Sequence, residues 1–307
     1  MPRDGRRTRN LERVTTSSTQ TQAEQTDAGG CGCGSGGCGG MCAPSADAAQ
    51  TAVNPQAAPV PVNVYVDVVC PWCYIGKRRL DEAVEAFTTA GGKVTLRYMP
   101  YQLDPAAPAQ ACELMPTLVE QFGGEAQAAQ TTTHITEIAA TCGIELDFDA
   151  ALAVNTQSAH RVLLWTGDRN LDAQSRLLEE LFAAHFTRGE NIGDAQVLQK
   201  YVDEIGLDLD VAAYLATDEG IDAVNAQQEA ARAAGITSVP TYVFAARWGV
   251  SGAQEVSTLL TVLQQEQAQA DAQPGGGGGG CCGGGCCGGG CCGGGCCCCW
   301  CGGGGGI

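Results

Sequence analysis

Residues 62–73 read VNVYVDVVCPWC, and this stretch decides the fold. The β-branched run before the first cysteine predicts a buried strand. From Tyr74 to Ala90 apolar side chains recur at helical spacing, which predicts a helix next to the second cysteine. A second apolar run at residues 94–99 predicts another strand. The order strand, helix, strand is that of a parallel crossover unit.

The remaining apolar sequence predicts a helical block, then a hairpin and a last helix. Residues 111–234 show helical periodicity without a convincing strand. Strand character returns at 241–244, the stretch 248–252 is suited to pair with it, and an amphipathic helix covers about 254–268. The candidate helices of the block cover 113–122, 126–141, 157–167, 172–187, 194–204 and 219–234. Together these elements predict an α/β thioredoxin fold, βαβ followed by ββα, with a large helical insertion at about 104–234.

Large apolar side chains are concentrated in the middle of the chain. Residues 58–273 are therefore expected to form one large domain that contains the helical insertion. Residues 1–57 carry a cysteine–glycine cluster and an Ala- and Pro-rich linker, and residues 274–307 consist mainly of glycine and cysteine. Both tails lack the apolar residues needed for a core and are expected to be disordered.

Charge and hydropathy argue against several classes of function. The net charge of −17 repels phosphate backbones, so nucleic-acid binding is not expected. No run reaches the roughly 18 consecutive apolar residues of a membrane helix. The polar residues that follow Arg6 and Arg7 do not form the apolar core of a secretory signal. The expected location is the cytoplasm, where a close cysteine pair is more often catalytic or metal-binding than structural.

Cys70 and Cys73 lie where the predicted strand gives way to the predicted helix. The start of a helix stabilises an anion, and the thiolate is the form of cysteine that attacks disulfides. Pro71 suits the first helical position, and two intervening residues bring Cys73 one turn along. We therefore expect Cys70 to be the nucleophile and Cys73 the resolving thiol of disulfide exchange. Half of a zinc site is the alternative, but the globular part offers no second ligand pair at matching spacing.

Four other residues are candidates for roles beside this pair. Val239 and Pro240 stand directly before the strand that follows the helical block. A cis peptide bond between them could present the Val239 backbone to an extended substrate. An ordinary trans proline in a turn is the alternative, and the cysteine motif at residues 70–73 favours the cis bond. Asp67 could shuttle a proton to or from Cys73, or hydrogen-bond a loop. Trp72 could form an apolar lip for the substrate, or pack beside the site.

Further polar residues and cysteines of the domain are expected to be structural. His160, within the helical block, is expected to pack or to cap a helix. Lys77 and Arg78 are expected on a solvated helix face. Cys112 and Cys142 are isolated, and free cysteines are commonly buried.

Six sequence blocks carry a resemblance to a known family. They are residues 67–76, 101–105, 155–161, 181–186, 235–240 and 250–254. In these blocks the chain resembles the DsbA-like thioredoxin superfamily, and in particular its FrnE-type cytoplasmic oxidoreductases. The resemblance implies a DsbA-like fold, disulfide exchange and a cis bond before Pro240. A related branch has serine in place of the first cysteine and contains kappa-type glutathione-dependent isomerases and transferases. Cys70 favours redox chemistry, and the isomerase function stays the alternative.

Most cysteines of the chain lie in the two tails. The C-terminal tail repeats cysteine pairs between glycine triplets, beginning with Cys281, Cys282, Cys286 and Cys287. Such thiolates could bind zinc or copper(I), serve as an exchangeable thiol pool, or have no selected role. A thiol-rich metal-buffering protein is therefore a further alternative, whereas disulfide exchange itself requires no cofactor. The expected substrate is a disulfide-containing protein or a low-molecular-weight thiol; the direction of exchange and the oligomeric state stay open.

Overall fold

The computed structural model describes residues 58–272. The tails predicted at 1–57 and 274–307, with their cysteines, lie outside the described residues, so the domain boundaries stay predictions. In chain order the elements are β1 (Val60–Val66), α1 (Pro71–Thr89), β2 (Val94–Pro100), β3 (Cys112–Glu113), α2 (Leu114–Phe122), α3 (Glu125–Thr141), β4 (Leu152–Ala153), α4 (Gln157–Gly167), α5 (Leu171–Phe186), α6 (Ala195–Glu204), α7 (Val211–Leu215), α8 (Ile221–Ala233), β5 (Thr241–Phe244), β6 (Trp248–Ser251) and α9 (Val256–Ala272).

The main sheet has the strand order β2-β1-β5-β6. β1 is parallel to β2, as the strand–helix–strand prediction requires, and antiparallel to β5. The hairpin predicted near residue 248 is present, since β5 and β6 pair antiparallel. Because Tyr65 pairs with Thr241, the residue before β5 lies at the same sheet edge as the loop after β1. The parallel partner β2 ends at that edge too, so three segments meet there.

Helices α1 and α9 pack against each other, and α4, α5 and α8 contact β2. Of the apolar positions of α1 that repeat at helical spacing, Ile75, Leu80 and Phe87 are buried and Val84 is half-buried. Tyr74 stacks on Phe182 of α5 with ring centroids 5.0 Å apart, which ties α1 to the helical insertion. The start of α1 is therefore held between the sheet and the insertion.

The insertion is mostly helical, but the expectation that it lacks strands is wrong. Cys112 pairs with Ala153, and Glu113 with Leu152, in a small antiparallel sheet. Two-residue strands are too short to show an alternating pattern, and their pairing is a tertiary contact. Helix α7 is also absent from the sequence prediction; it is one short turn whose N-cap, Asp210, accepts a hydrogen bond from the Ala213 amide.

Lys77 and Cys112 depart from their predicted environments. Lys77 is buried rather than solvated, because its ammonium group lies 2.6 Å from Asp81 and 3.2 Å from Glu179. Cys112 is exposed and Cys142 is half-buried, so neither is the buried thiol that its isolation suggested. Within residues 58–272, none of the helices has the length and apolar character that spanning a bilayer requires.

Candidate active site

The cysteine motif occupies the turn from β1 into α1. The Cys70 amide donates to the Asp67 carbonyl at 3.1 Å, and Cys70 itself has extended backbone angles, φ −95° and ψ 114°. Pro71 is the first helical residue. The amides of Cys73 and Tyr74 donate to the Cys70 carbonyl at 3.0 and 3.3 Å. No acidic side chain stands in this first turn, so the partial positive charge of the helix start is not offset there.

The two thiols have different environments, and neither is in a disulfide. Cys70 retains 5% of its surface exposed and Cys73 retains none, so an external disulfide reaches Cys70 first. Burial raises the pKa of the Cys73 thiol well above its ordinary value, and the neighbouring Cys70 sulfur raises it further. Cys73 therefore stays protonated until a group near it accepts the proton.

The segment before β5 lies against the first cysteine. The peptide bond between Val239 and Pro240 is cis, the geometry that the family resemblance implies. The Cys70 thiol donates to the Val239 carbonyl with 3.8 Å between sulfur and oxygen. The Pro240 carbonyl accepts from the Gly252 amide at 2.7 Å, which attaches this segment to the end of β6.

Gly76 allows α1 to approach this segment closely. A Cβ atom at this position would lie 2.4 Å from the Tyr242 hydroxyl oxygen and 2.8 Å from Cγ of Pro240. Both distances are shorter than a carbon contact permits. The absence of a side chain at Gly76 therefore fixes how near the helix and Pro240 come.

Asp67 is buried directly behind the motif, with 1% of its surface exposed. Its Oδ2 accepts from the Leu103 amide at 2.7 Å, and its Oδ1 lies 3.2 Å from Nε2 of His160. The loop-bonding role expected as one option is present in the contact with Leu103. The contact with His160 was missed by sequence reasoning, which expected packing or capping. No local spacing relates two residues 93 positions apart.

The segment after β2 forms another wall of the site. Tyr101 donates its hydroxyl to the Ile236 carbonyl at 3.2 Å, close in sequence to the cis bond. The backbone amide of Gln102 donates to Oε1 of Gln228 at 2.9 Å. Leu103, whose amide binds Asp67, exposes 52% of its surface. This wall is therefore rigid in its backbone and apolar at its exposed end.

The sequence-predicted site residues are largely brought together. Asp67, Cys70, Cys73, Val239 and Pro240 lie at one sheet edge. Trp72, in the same first turn, is half-buried and packs against the core. The four tail cysteines named as metal ligands, Cys281, Cys282, Cys286 and Cys287, lie outside the described residues. Across residues 58–272, no three His, Cys, Asp or Glu side chains cluster in a way that could hold a metal ion.

Comparison with known proteins identifies a family. Residues 61–264 match the model of the DSBA-like thioredoxin domain. The uncharacterized protein YwbO of Bacillus subtilis is 27% identical over 189 residues, which cover 60% of this chain and 86% of that protein. A probable DsbA oxidoreductase of Streptomyces coelicolor superposes with a TM-score of 0.63 at 27% identity, covering 68% of this chain and 91% of the other. A 2-hydroxychromene-2-carboxylate isomerase superposes with a TM-score of 0.51 at 15% identity, covering 70% of this chain and 100% of the other; at that identity the likeness concerns the fold alone.

Proposed function

Because the chain belongs to the DSBA-like thioredoxin domain family, we propose that it is a thiol–disulfide oxidoreductase that works through Cys70 and Cys73. The observation that carries the proposal is the environment of Cys70. Its sulfur stands at the start of α1 and 3.8 Å from the Val239 carbonyl, with a fully buried partner thiol one turn away. The helix start stabilises the thiolate that attacks, and the partner thiol then completes the exchange.

The reaction proceeds in two displacements. The Cys70 thiolate attacks one sulfur of a substrate disulfide, forms a mixed disulfide and releases the other substrate sulfur as a thiolate, which takes up a proton. Cys73 then loses its proton, and its thiolate attacks the Cys70 sulfur. The Cys70–Cys73 disulfide forms, the second substrate thiolate leaves, and two electrons have passed to the substrate. The reverse sequence oxidises a substrate dithiol.

Asp67 is the proposed acceptor of the Cys73 proton. It is the buried carboxylate that acts on this thiol: a hydrogen bond from its backbone lowers the pKa of Cys73, and its charge raises that pKa. A buried carboxylate whose charge acts on a buried thiol can supply general base assistance at the second displacement. The proton returns when the reaction runs backwards.

Val239 and Trp72 are the proposed substrate contacts. The main chain at Val239 lies beside the reacting sulfur, where an extended substrate segment can pair with it as a strand. Trp72 lies between the two cysteines and retains exposed surface for an apolar substrate side chain. The substrate is a disulfide-containing protein or a low-molecular-weight thiol.

Kappa-type isomerases have serine at the position of Cys70. The presence of a cysteine there, together with a second thiol at Cys73, favours redox exchange over that alternative. The proposed location is the cytoplasm, where a close cysteine pair is more often catalytic or metal-binding than structural. The exchange needs no cofactor. Zinc or copper(I) binding by the tail thiolates stays a separate prediction from the sequence.

Single cysteine variants of the full chain test the proposal. Insulin-disulfide reduction and oxidative refolding of a reduced protein are measured for Cys70→Ser, with Cys112→Ser and Cys142→Ser as matched controls. We expect both activities to fall to background in Cys70→Ser and to persist in the controls. Cys112 is the demanding control, because it is far more exposed than Cys70. Wild-type rates in Cys70→Ser would refute the proposal.

A further inference from the structure

A buried imidazole that the exchange scheme does not use lies against Asp67. His160 in α4 has 2% of its surface exposed, and its Nε2 lies 3.2 Å from Oδ1 of Asp67. We propose that His160 is a positioning residue for disulfide exchange, holding the Asp67 carboxylate in the orientation that accepts the Cys73 proton. This inference rests on the proposed function and adds a residue from a different element to its machinery.

The carboxylate of Asp67 is fixed through both oxygens. The Leu103 amide holds Oδ2 at 2.7 Å, from the segment after β2. His160 contacts Oδ1, and because a carboxylate oxygen only accepts, Nε2 carries the proton in this contact. With two donors from two elements, the carboxylate has one orientation relative to α1. Removing the imidazole leaves one donor, about which the carboxylate can turn.

The side chains around the imidazole are tightly packed. A small void beside His160, lined by Val66, Tyr98, Leu163 and their neighbours, has no space for a water molecule. A buried charge with a missing hydrogen bond is costly, so the carboxylate is expected to turn toward another donor. That movement takes it out of the orientation in which it serves Cys73.

The other ionisable groups around Asp67 and Cys73 do not substitute for His160. Burial lowers the pKa of His185 to about 4, so that imidazole is neutral at neutral pH, and both its ring nitrogens lack a hydrogen-bond partner among the described residues. Burial raises the pKa of Tyr242 well above its ordinary value, so that phenol stays protonated. The groups facing the pair are Cys70 at the N-cap of α1, His160 from α4, His185 from α5 and Tyr242 from β5.

The role assigned to His160 predicts an effect on one displacement and not on the other. The attack by Cys70 precedes proton removal from Cys73, so losing His160 leaves the first displacement unchanged. The second displacement slows, and the mixed disulfide accumulates. A hydrogen bond to a charged group corresponds to a rate effect of roughly 10- to 100-fold if it is fully expressed.

The test measures both displacements in the full chain with insulin as the probe. Samples are quenched in acid, and the mixed disulfide on Cys70 is quantified by mass spectrometry over a range of pH. His160→Leu removes the donor, whereas His160→Gln places an amide N–H in its stead. Asp67→Asn and the double variant Asp67→Asn with His160→Leu complete a cycle.

We expect His160→Leu to slow the second displacement about tenfold or more, with the first within about twofold of wild type. His160→Gln should restore most of the rate, and His160→Leu should add nothing in the Asp67→Asn background. If His160→Leu does not fold, His160→Asn, which is polar but too short to reach Oδ1, takes its place with the same expected slowing.

The inference would be overturned by a second displacement at the wild-type rate in His160→Leu, or by equal slowing from that substitution with and without the Asp67 carboxylate. Equal slowing of both displacements would mean a structural role and would also overturn it. Failure of the proposed function looks different, because the wild-type chain itself would then form no mixed disulfide at Cys70.

Discussion

Gly76→Ala tests whether the contact between α1 and the segment before β5 is as close as the structure has it. The new Cβ would lie 2.4 Å from the Tyr242 hydroxyl oxygen, 2.8 Å from Cγ of Pro240 and 3.6 Å from Cα of Ala253. Overpacking of this kind costs about 1–3 kcal/mol. Alanine in place of glycine within a helix gives back up to about 1 kcal/mol. The expected net loss of unfolding free energy is therefore about 0–3 kcal/mol, instead of the gain that helix propensity alone predicts.

Activity should suffer more than stability. The added methyl group pushes Pro240 away from α1, and with it the Val239 carbonyl that lies 3.8 Å from the Cys70 sulfur. Since a displacement of about 1 Å at a reacting centre can cost roughly 100-fold, we expect disulfide exchange to slow tenfold or more. Urea denaturation and insulin reduction measure the two effects separately.

Tyr242→Phe provides the matched rescue. The Tyr242 hydroxyl is buried and has no hydrogen-bond partner among the described residues, so its removal alone should cost little. In the double variant Gly76→Ala with Tyr242→Phe, the short contact between the new Cβ and the Tyr242 hydroxyl is absent. The double-mutant cycle of unfolding free energies should therefore show a coupling energy of about 1 kcal/mol or more. Gly249→Ala is the control, because its Cβ would meet ordinary contacts of 3.4 Å and beyond. A stabilised, fully active Gly76→Ala variant, or no coupling to Tyr242→Phe, would refute this reasoning.

Three further predictions concern pH, buried charge and metal. The pKa of His185 is about 4 in the folded chain and near 6.5 unfolded, so the unfolded state binds a proton first as pH falls, and unfolding free energy should drop by roughly 2 kcal/mol from pH 7 to pH 5. His185→Leu should flatten this dependence in urea titrations, whereas substitution of the exposed His134 should not. Lys77→Met should lower the unfolding free energy by about 1–3 kcal/mol, because two carboxylates lose a buried cationic partner. Arg188→Met, which removes an exposed pair, should lower it by less than about 1 kcal/mol, and equal losses in the two variants would contradict this. The full chain should bind zinc or copper(I) in calorimetry. Replacing the cysteines of 281–301 by serine should abolish that binding and leave disulfide exchange intact, and unchanged binding would exclude the tail as the metal site.

The core of the fold could be predicted because each of its elements has a recognisable pattern within its own segment of sequence. The β-branched run of β1 and the helical spacing of α1 are properties of single segments, and the bounds of α4, Gln157–Gly167, agree with the prediction residue for residue. The start of α1 came from a different signal, because the apolar pattern begins only at Tyr74, whereas Pro71, predicted at the first helical position, is where the helix begins. Capping residues belong to the helix without sharing its periodicity.

What could not be predicted depends on contacts between distant residues. The pairing of Cys112 with Ala153 joins two strands that are each too short to show a pattern of their own, and Cys112 is exposed there. The burial of Lys77 depends on Glu179, a residue of another helix. In the same way the pair of Asp67 and His160 joins the loop after β1 to α4, and only the three-dimensional structure brings the two together.

Cys70 attacks in the proposed exchange, and the buried Cys73 resolves the mixed disulfide. Trapping separates the two roles: full-length Cys73→Ser is incubated with insulin, the product is digested without reduction, and the attachment site is mapped by mass spectrometry. We expect a stable adduct of one substrate chain per protein, attached at Cys70. An adduct found instead at Cys112 or at tail cysteines, or equal trapping at Cys73 in a Cys70→Ser variant, would contradict it.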